Sequence, residues 1–155
     1  MNTLFKQLIA PKLLSFVILL LTTTISCKKD QVGKLSYYEV GMKNKPDEWR
    51  DSSFVVATAN RQLIQQIEAQ LQQPVLQRKM VLGTLAPGSG WYNKNATHEF
   101  KWHFKEDEWQ LAEITIEIYD GRPYSDVDAD TAYWLHTVKR FSPWGSYIRK
   151  KINEQ

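Results

Sequence analysis

The chain has a single cysteine, Cys27, among its 155 residues. No disulfide can form within it, so a domain outside the cytosol would have to stand on its core alone, without the cross-links small secreted domains often carry. Long apolar runs are missing too. The densest, Leu13 to Leu21, is nine residues, far short of the ~20 that a membrane-spanning helix needs. Charge of one sign is also scarce. A formal charge of +3 provides no field able to track a phosphate backbone, which excludes nucleic acid as a partner. No G-x-S-x-G elbow occurs. The glycines of APGSGWYN (Ala86 to Asn93) lack the lysine and following helix of a phosphate loop. His98, His103 and His136 never stand at zinc-ligand spacing on one helix, and no cofactor motif appears, so neither a metal nor a cofactor is expected.

What is there begins with the first 27 residues. Lys6 and Lys12 precede the apolar run, no acidic residue occurs before Asp30, and small Ser26 lies just before Cys27. These are the marks of a secretory signal peptide. A lone cysteine directly after the break resembles the lipobox of bacterial lipoproteins, although Thr24 stands where that motif usually has Leu. The resemblance implies that residues 1–26 are a leader and that Cys27 takes a diacylglycerol and becomes the new N-terminus. The chain would then be anchored to a membrane of the cell envelope, at the outer membrane or cell surface. An ordinary signal peptide with an incidental cysteine, or an uncleaved anchor, is the alternative. Residues 27–34, CKKDQVGK, read as a polar tether, and residues 35–155 as one α+β domain. Losing Lys6 and Lys12 leaves 18 basic against 17 acidic side chains. Six Trp, seven Tyr and six Phe then have to carry much of the burial.

Periodicity orders the domain. LSYYEV (Leu35 to Val40) and SFVVAT (Ser53 to Thr58) read as strands, separated by a polar turn around Pro46 and Asp47. Asn60 is an N-cap, Pro74 a stop, and Leu63, Ile64, Ile67 and Leu71 form one apolar stripe, which predicts a helix laid on a sheet. RKMVLGTL (Arg78 to Leu85) is a strand in which Gly83 marks a bulge or a close approach. HEFKWHF (His98 to Phe104) alternates, with Phe100, Trp102 and Phe104 on one face. AEITIEIYD (Ala112 to Asp120) alternates as cleanly, with Ile114, Ile116 and Ile118 on one face. With KEDE between them as an acidic turn, the two predict a hairpin. Asp126 opens a second helix that ends near Lys139 and Arg140, and FSPWGSYIRKKI leads into a last strand. The expected fold class is α+β: an antiparallel sheet of about five or six strands packed with one or two helices.

Candidate chemistry is sparse. Asp126, Asp128 and Asp130 open like a calcium loop, but Thr131 and Thr137 occupy the places that need Gly and Glu. An acidic helix start or a looser calcium site remains. His103 shares the polar side of its strand with Glu99 and Lys101, and the predicted hairpin would set it beside Glu117. A His–carboxylate pair with Glu117 or Asp120 could do acid–base work; two solvated groups on an open face is the other reading. Trp91, Tyr92 and Trp109 lie near turns, as stacking platforms or as lids folded onto the core.

GTLAPGSGWYN, WHF, ITIEIYDGRP and FSPW together resemble a family of small secreted domains labelled calmodulin-binding-protein-like, found also at the N-terminal end of a pore-former-like adhesion protein. The matching positions are Gly83, Tyr92 with Asn93, His103, Glu117 with Asp120, and Pro143 with Trp144, within a stretch from about Tyr37 to Ile152. Tyr119 and Ser142 stand where the family has cysteines. If those tie the hairpin to the last segment, packing by Tyr119 and Trp144 has to substitute. The chain offers no basic amphipathic helix of the kind calmodulin takes. The leading expectation is a monomeric, non-enzymatic binding module for a glycan, peptide or protein. Its ligand would meet Trp91, Tyr92 and Asn93, with His103, Glu117 and Asp120 lining the same area. A small hydrolase using His103 with Glu117 or Asp120, and a structural envelope protein without a discrete site, are the alternatives.

Overall fold

The computed structural model describes residues 33–153. The expected leader, Cys27 and most of the tether lie outside them. Strands β1 (Ser36–Met42) and β2 (Ser53–Thr58) pair antiparallel, and helix α1 (Arg61–Leu71) follows. Asn60 caps α1 by accepting from Gln62 N at 2.9 Å and Leu63 N at 3.1 Å, satisfying donors that the first turn leaves unpaired. Next come β3 (Met80–Pro87), a two-stranded ribbon of β4 (Lys94–Asn95) and β5 (His98–Glu99), and the long β6 (Trp102–Ala112). β7 (Arg140–Phe141) and β8 (Ser146–Ile152) close the chain.

Among the described residues, these eight strands form two three-stranded sheets, ordered β2-β1-β8 and β6-β3-β7, plus the ribbon. The α+β class holds in its broad form: antiparallel sheets dominate and helices are few. The single sheet of five or six strands is replaced by two small ones. Tyr38, Val40, Phe54, Val56 and Ile148 from one sheet meet Val81, Leu85, Phe104, Trp109 and Phe141 from the other in one core, which Leu63 and Ile67 of α1 and Val127 and Trp134 complete. The alternation of Phe100, Trp102 and Phe104 is genuine, for all three are fully buried.

The predicted 98–104/112–120 hairpin does not form. β6 runs straight through KEDE and pairs with β3. Gly83 opposes Trp109 and Leu85 opposes Phe104, so two steps along β3 face five along β6. KEDE is the bulge that absorbs the difference, which lets Lys105, Asp107 and Glu108 turn to solvent without ending the strand while Glu106 stays half-buried. Beyond Ala112 the chain leaves the sheet, and Ile114, Ile116 and Ile118 are exposed. Period-2 alternation states which way side chains point; it does not supply a neighbouring strand.

The second helix also begins earlier than Asp126. Wide turns over Pro123–Asp128 and Trp134–Val138 flank a short α-helical piece, Thr131–Tyr133. Its start is held from a distance in sequence: buried Asp51 accepts from Tyr124 N at 2.7 Å and Ser125 N at 2.9 Å. Asp126 instead bonds back to Arg122.

Gly83 is required by close approach. A Cβ built there would lie 2.5 Å from the Phe104 ring. Gly83→Ala is expected to destabilise the fold by about 1–3 kcal/mol through overpacking, read as a lower urea midpoint with unchanged slope.

Candidate functional site

The loop from β3 to β4 turns sharply because Gly88, Gly90 and Trp91 all have positive φ, at 77°, 58° and 61°. Gly90 also has no room for a side chain: a Cβ would lie 2.8 Å from the Tyr92 ring and 3.1 Å from His103. Gly88 N donates to Lys101 O at 2.7 Å, and Asn93 N donates to Ser89 O at 2.9 Å. The Ser89 hydroxyl accepts from Trp91 N at 3.0 Å and donates to Glu99.

Asn93 is fully buried. Its amide oxygen accepts from Val55 N of β2 at 2.9 Å, and its amide nitrogen donates to Trp102 O of β6 at 2.7 Å. One side chain therefore stitches together edges of both sheets. The ligand-facing role expected of Asn93 does not fit this placement.

Tyr92 folds over β2. Its ring packs with Val55 and Ala57 in a second apolar cluster, on the face of β2 away from the main core, with Leu35, Tyr37 and Ile152 at its margin. The hydroxyl donates to Phe104 O at 3.0 Å, with the Glu106 carboxylate 3.3 Å away. Burial, reinforced by Glu106, pushes the Tyr92 phenol well above its ordinary range, so it stays a neutral donor.

Trp91 does the opposite: 78% of it is exposed. Its ring meets Tyr37 edge-on at 5.9 Å and Tyr92 edge-on at 6.1 Å, and the two tyrosines are 5.6 Å apart. These three rings, with Val55, Lys94 and Ile152, line an open cavity of about 450 Å³. Centroids this close mean that the rings pack on one another. They leave no gap in which an ammonium could sit among three ring faces, so this is a shelf and not a cation cage. The open surface is the indole of Trp91.

The other half of the expected site lies elsewhere. His103 Nδ1 is 2.7 Å from Gly88 O. A carbonyl only accepts, so this nitrogen carries the proton and the ring braces the loop. Nε2 faces Glu106 at 4.0 Å. No hydrogen bond or ion pair joins His103 to Glu117 or Asp120 among the described residues, because the hairpin that would have aligned them is absent. Glu117 is exposed in the short 3₁₀ turn Glu117–Tyr119. Asp120 accepts from Trp144 N at 2.7 Å and lines a second depression of about 390 Å³ with Asp51, Arg122, Asp126 and Trp144. Asp126, Asp128 and Asp130 diverge: the first pairs with Arg122, the second accepts from Lys101 N at 2.6 Å and faces His98, and the third caps Tyr133 N. No group of three metal-ligating side chains occurs among the described residues.

Of the six expected site residues, the structure joins Trp91 and Tyr92 in the shelf and puts Asn93 and His103 beneath it as supports. Tyr37, Lys94 and Ile152 went unseen. The one available signal was the Tyr37-Tyr38 pair: on a strand only one of two neighbours can face the core, and Tyr38 takes that place.

A family model described as the BP-74 N-terminal domain matches residues 37–155. The chain belongs to that family of N-terminal domains. No curated protein and no solved structure matches it. In this member of the family, the two positions read as family cysteines are neighbours without a disulfide. Ser142 N donates to Tyr119 O at 2.8 Å, the Ser142 hydroxyl donates to Val81 O at 2.8 Å, and the Arg140 guanidinium lies 5.5 Å over the Tyr119 ring.

Asn93→Ala would leave Val55 N and Trp102 O buried without partners. At about 1–3 kcal/mol for each orphaned group, the expected loss is roughly 2–6 kcal/mol. Chemical denaturation measures it, and a loss below about 1 kcal/mol would contradict the stitch.

Proposed function

We propose that this chain is a lipid-anchored binding module of the cell envelope, non-enzymatic, whose contact surface is the shelf formed by Trp91 with Tyr37 and Tyr92. The observation that carries the reading is Trp91 itself: a tryptophan in the left-handed region at φ 61° and 78% exposed. The backbone conformation costs about 1–2 kcal/mol in a residue with a side chain. Two edge-on ring contacts return about 0.5–1.5 kcal/mol each. The terms roughly cancel, and an indole left in water buries little apolar area to tip the balance. Strain held around an exposed aromatic ring is the pattern of a contact site and not of a core. A flat indole face suits the apolar face of a sugar ring, a peptide side chain or the edge of a protein surface. The anchor follows from the lipobox resemblance at Cys27. Electrospray mass spectrometry of the natively purified chain tests it: an acylated mass starting at Cys27 is expected, and an intact Met1 or a free thiol overturns it.

The energetics separate binding from folding. Trp91→Gly loses the ring and relieves the backbone, so stability is expected to stay within about 1 kcal/mol of the parent. Trp91→Ala loses the ring and keeps the strain, so it should be the less stable of the two. A photo-crosslinking benzoylphenylalanine at position 91, in the full chain in its cells, should give adducts in higher yield than the same residue at Leu76, which is 82% exposed. Equal yields at the two positions would make Trp91 merely exposed and end this reading.

A further inference from the structure

We propose that the partner of the Trp91 shelf is the bilayer surface to which the chain's own lipid is attached; this deepens the preceding reading and rests on it. Three observations converge. The first is position. Leu35, two residues after the described chain begins, packs with Tyr37, Tyr92 and Ile152 in the cluster that carries the shelf. The second is length. Gly33 lies six residues on from Cys27, a reach of at most about 20 Å fully extended. A domain of this size is about 35 Å across, from a radius of gyration near 14 Å. A tether that short keeps the face around residue 33 turned towards the membrane and the far face away from it.

The third is charge. The shelf cavity shares Tyr37, Ile152 and Asn153 with a smaller depression of about 300 Å³. Lys94 borders the first, and Lys34 and Lys151 border the second, where Lys151 is ion-paired with Glu68 at 3.3 Å; among the described residues no carboxylate lines either. An exposed indole with tyrosines beside it and lysines around them has the chemistry of the headgroup zone. There aromatic rings sit between water and acyl chains, and lysine stems reach along apolar surface with their ammonium groups among phosphates.

The test uses the full lipidated chain, its acylation verified by mass, reconstituted into vesicles of phosphatidylethanolamine and phosphatidylglycerol at 3:1 with acyl chains brominated near the headgroup. Bromine quenches tryptophan only at contact range. Wild type is expected to show a quenched component that falls by at least half in Trp91→Phe and shrinks when the bromines are moved to the chain ends. Lys94→Glu should reduce quenching in these vesicles and leave it unchanged in vesicles of neutral lipid. Equal quenching of wild type and Trp91→Phe overturns the proposal. If benzoylphenylalanine at position 91 then still labels a glycan or protein, the shelf stands as a binding site and only the bilayer assignment falls. If it labels no better than position 76, the shelf itself falls. A chain without acyl groups removes the tether and overturns the proposal at its root.

Discussion

The rest of the structure depends on the side-chain amide of Asn93. Two three-stranded sheets facing one another leave edges along which backbone donors and acceptors point at protein instead of water. Val55 N on β2 and Trp102 O on β6 are two such groups, and Asn93 answers both with one planar amide. A backbone strand could not do this, because the edges belong to different sheets. Aspartate could accept but not donate, and leucine could do neither. Once Asn93 is seated, its neighbours have little freedom. Tyr92 falls onto the outer face of β2, and residue 91 is driven outward in a left-handed turn.

That dependence also explains the composition of β2. All six of its residues are buried. Phe54 and Val56 face the main core, while Val55 and Ala57 face Tyr92. A strand covered on both sides reads as a continuous apolar run, not as an alternation, and SFVVAT reads that way. The run was informative, but what covered the second face lay far along the chain, in a loop rich in glycine. Trp109 supports the same corner, donating from its indole to Ala57 O at 2.7 Å.

Local signals in the chain proved sound where the physics is local. Asn60, the stripe from Leu63 to Leu71 and Pro74 specify α1 without help from elsewhere, and Gly83 announces a close approach that Phe104 supplies. Signals failed where the deciding partner is distant. AEITIEIYD has the pattern of a strand, yet KEDE, which would have been the turn, continues β6 as far as Ala112, so no reversal brings the segment back alongside β6. The start of the second helical segment is set by Asp51, 73 residues before Tyr124, and Asp126 was the nearest residue able to imitate that cap. His103 was legible as a polar-face histidine, but its partner is the Gly88 carbonyl, a group no sequence pattern displays.

The same distinction bears on how a chain without disulfides closes its last segment. Residues 119–120 and 142–144 are joined by two backbone-donor hydrogen bonds, Ser142 N to Tyr119 O and Trp144 N to Asp120 Oδ1. A disulfide would act mainly by restricting the unfolded chain; hydrogen bonds act only once the strands beside them are in place, and each contributes about 1 kcal/mol net. Closure here therefore leans on the core, through buried Phe141 and Ser142 against β3. Asp120 is consumed by this closure just as His103 is consumed by the loop. The polar residues that looked most like chemistry, His103 and Asp120, are ones the fold uses to hold irregular backbone in place, while Trp91 is left exposed.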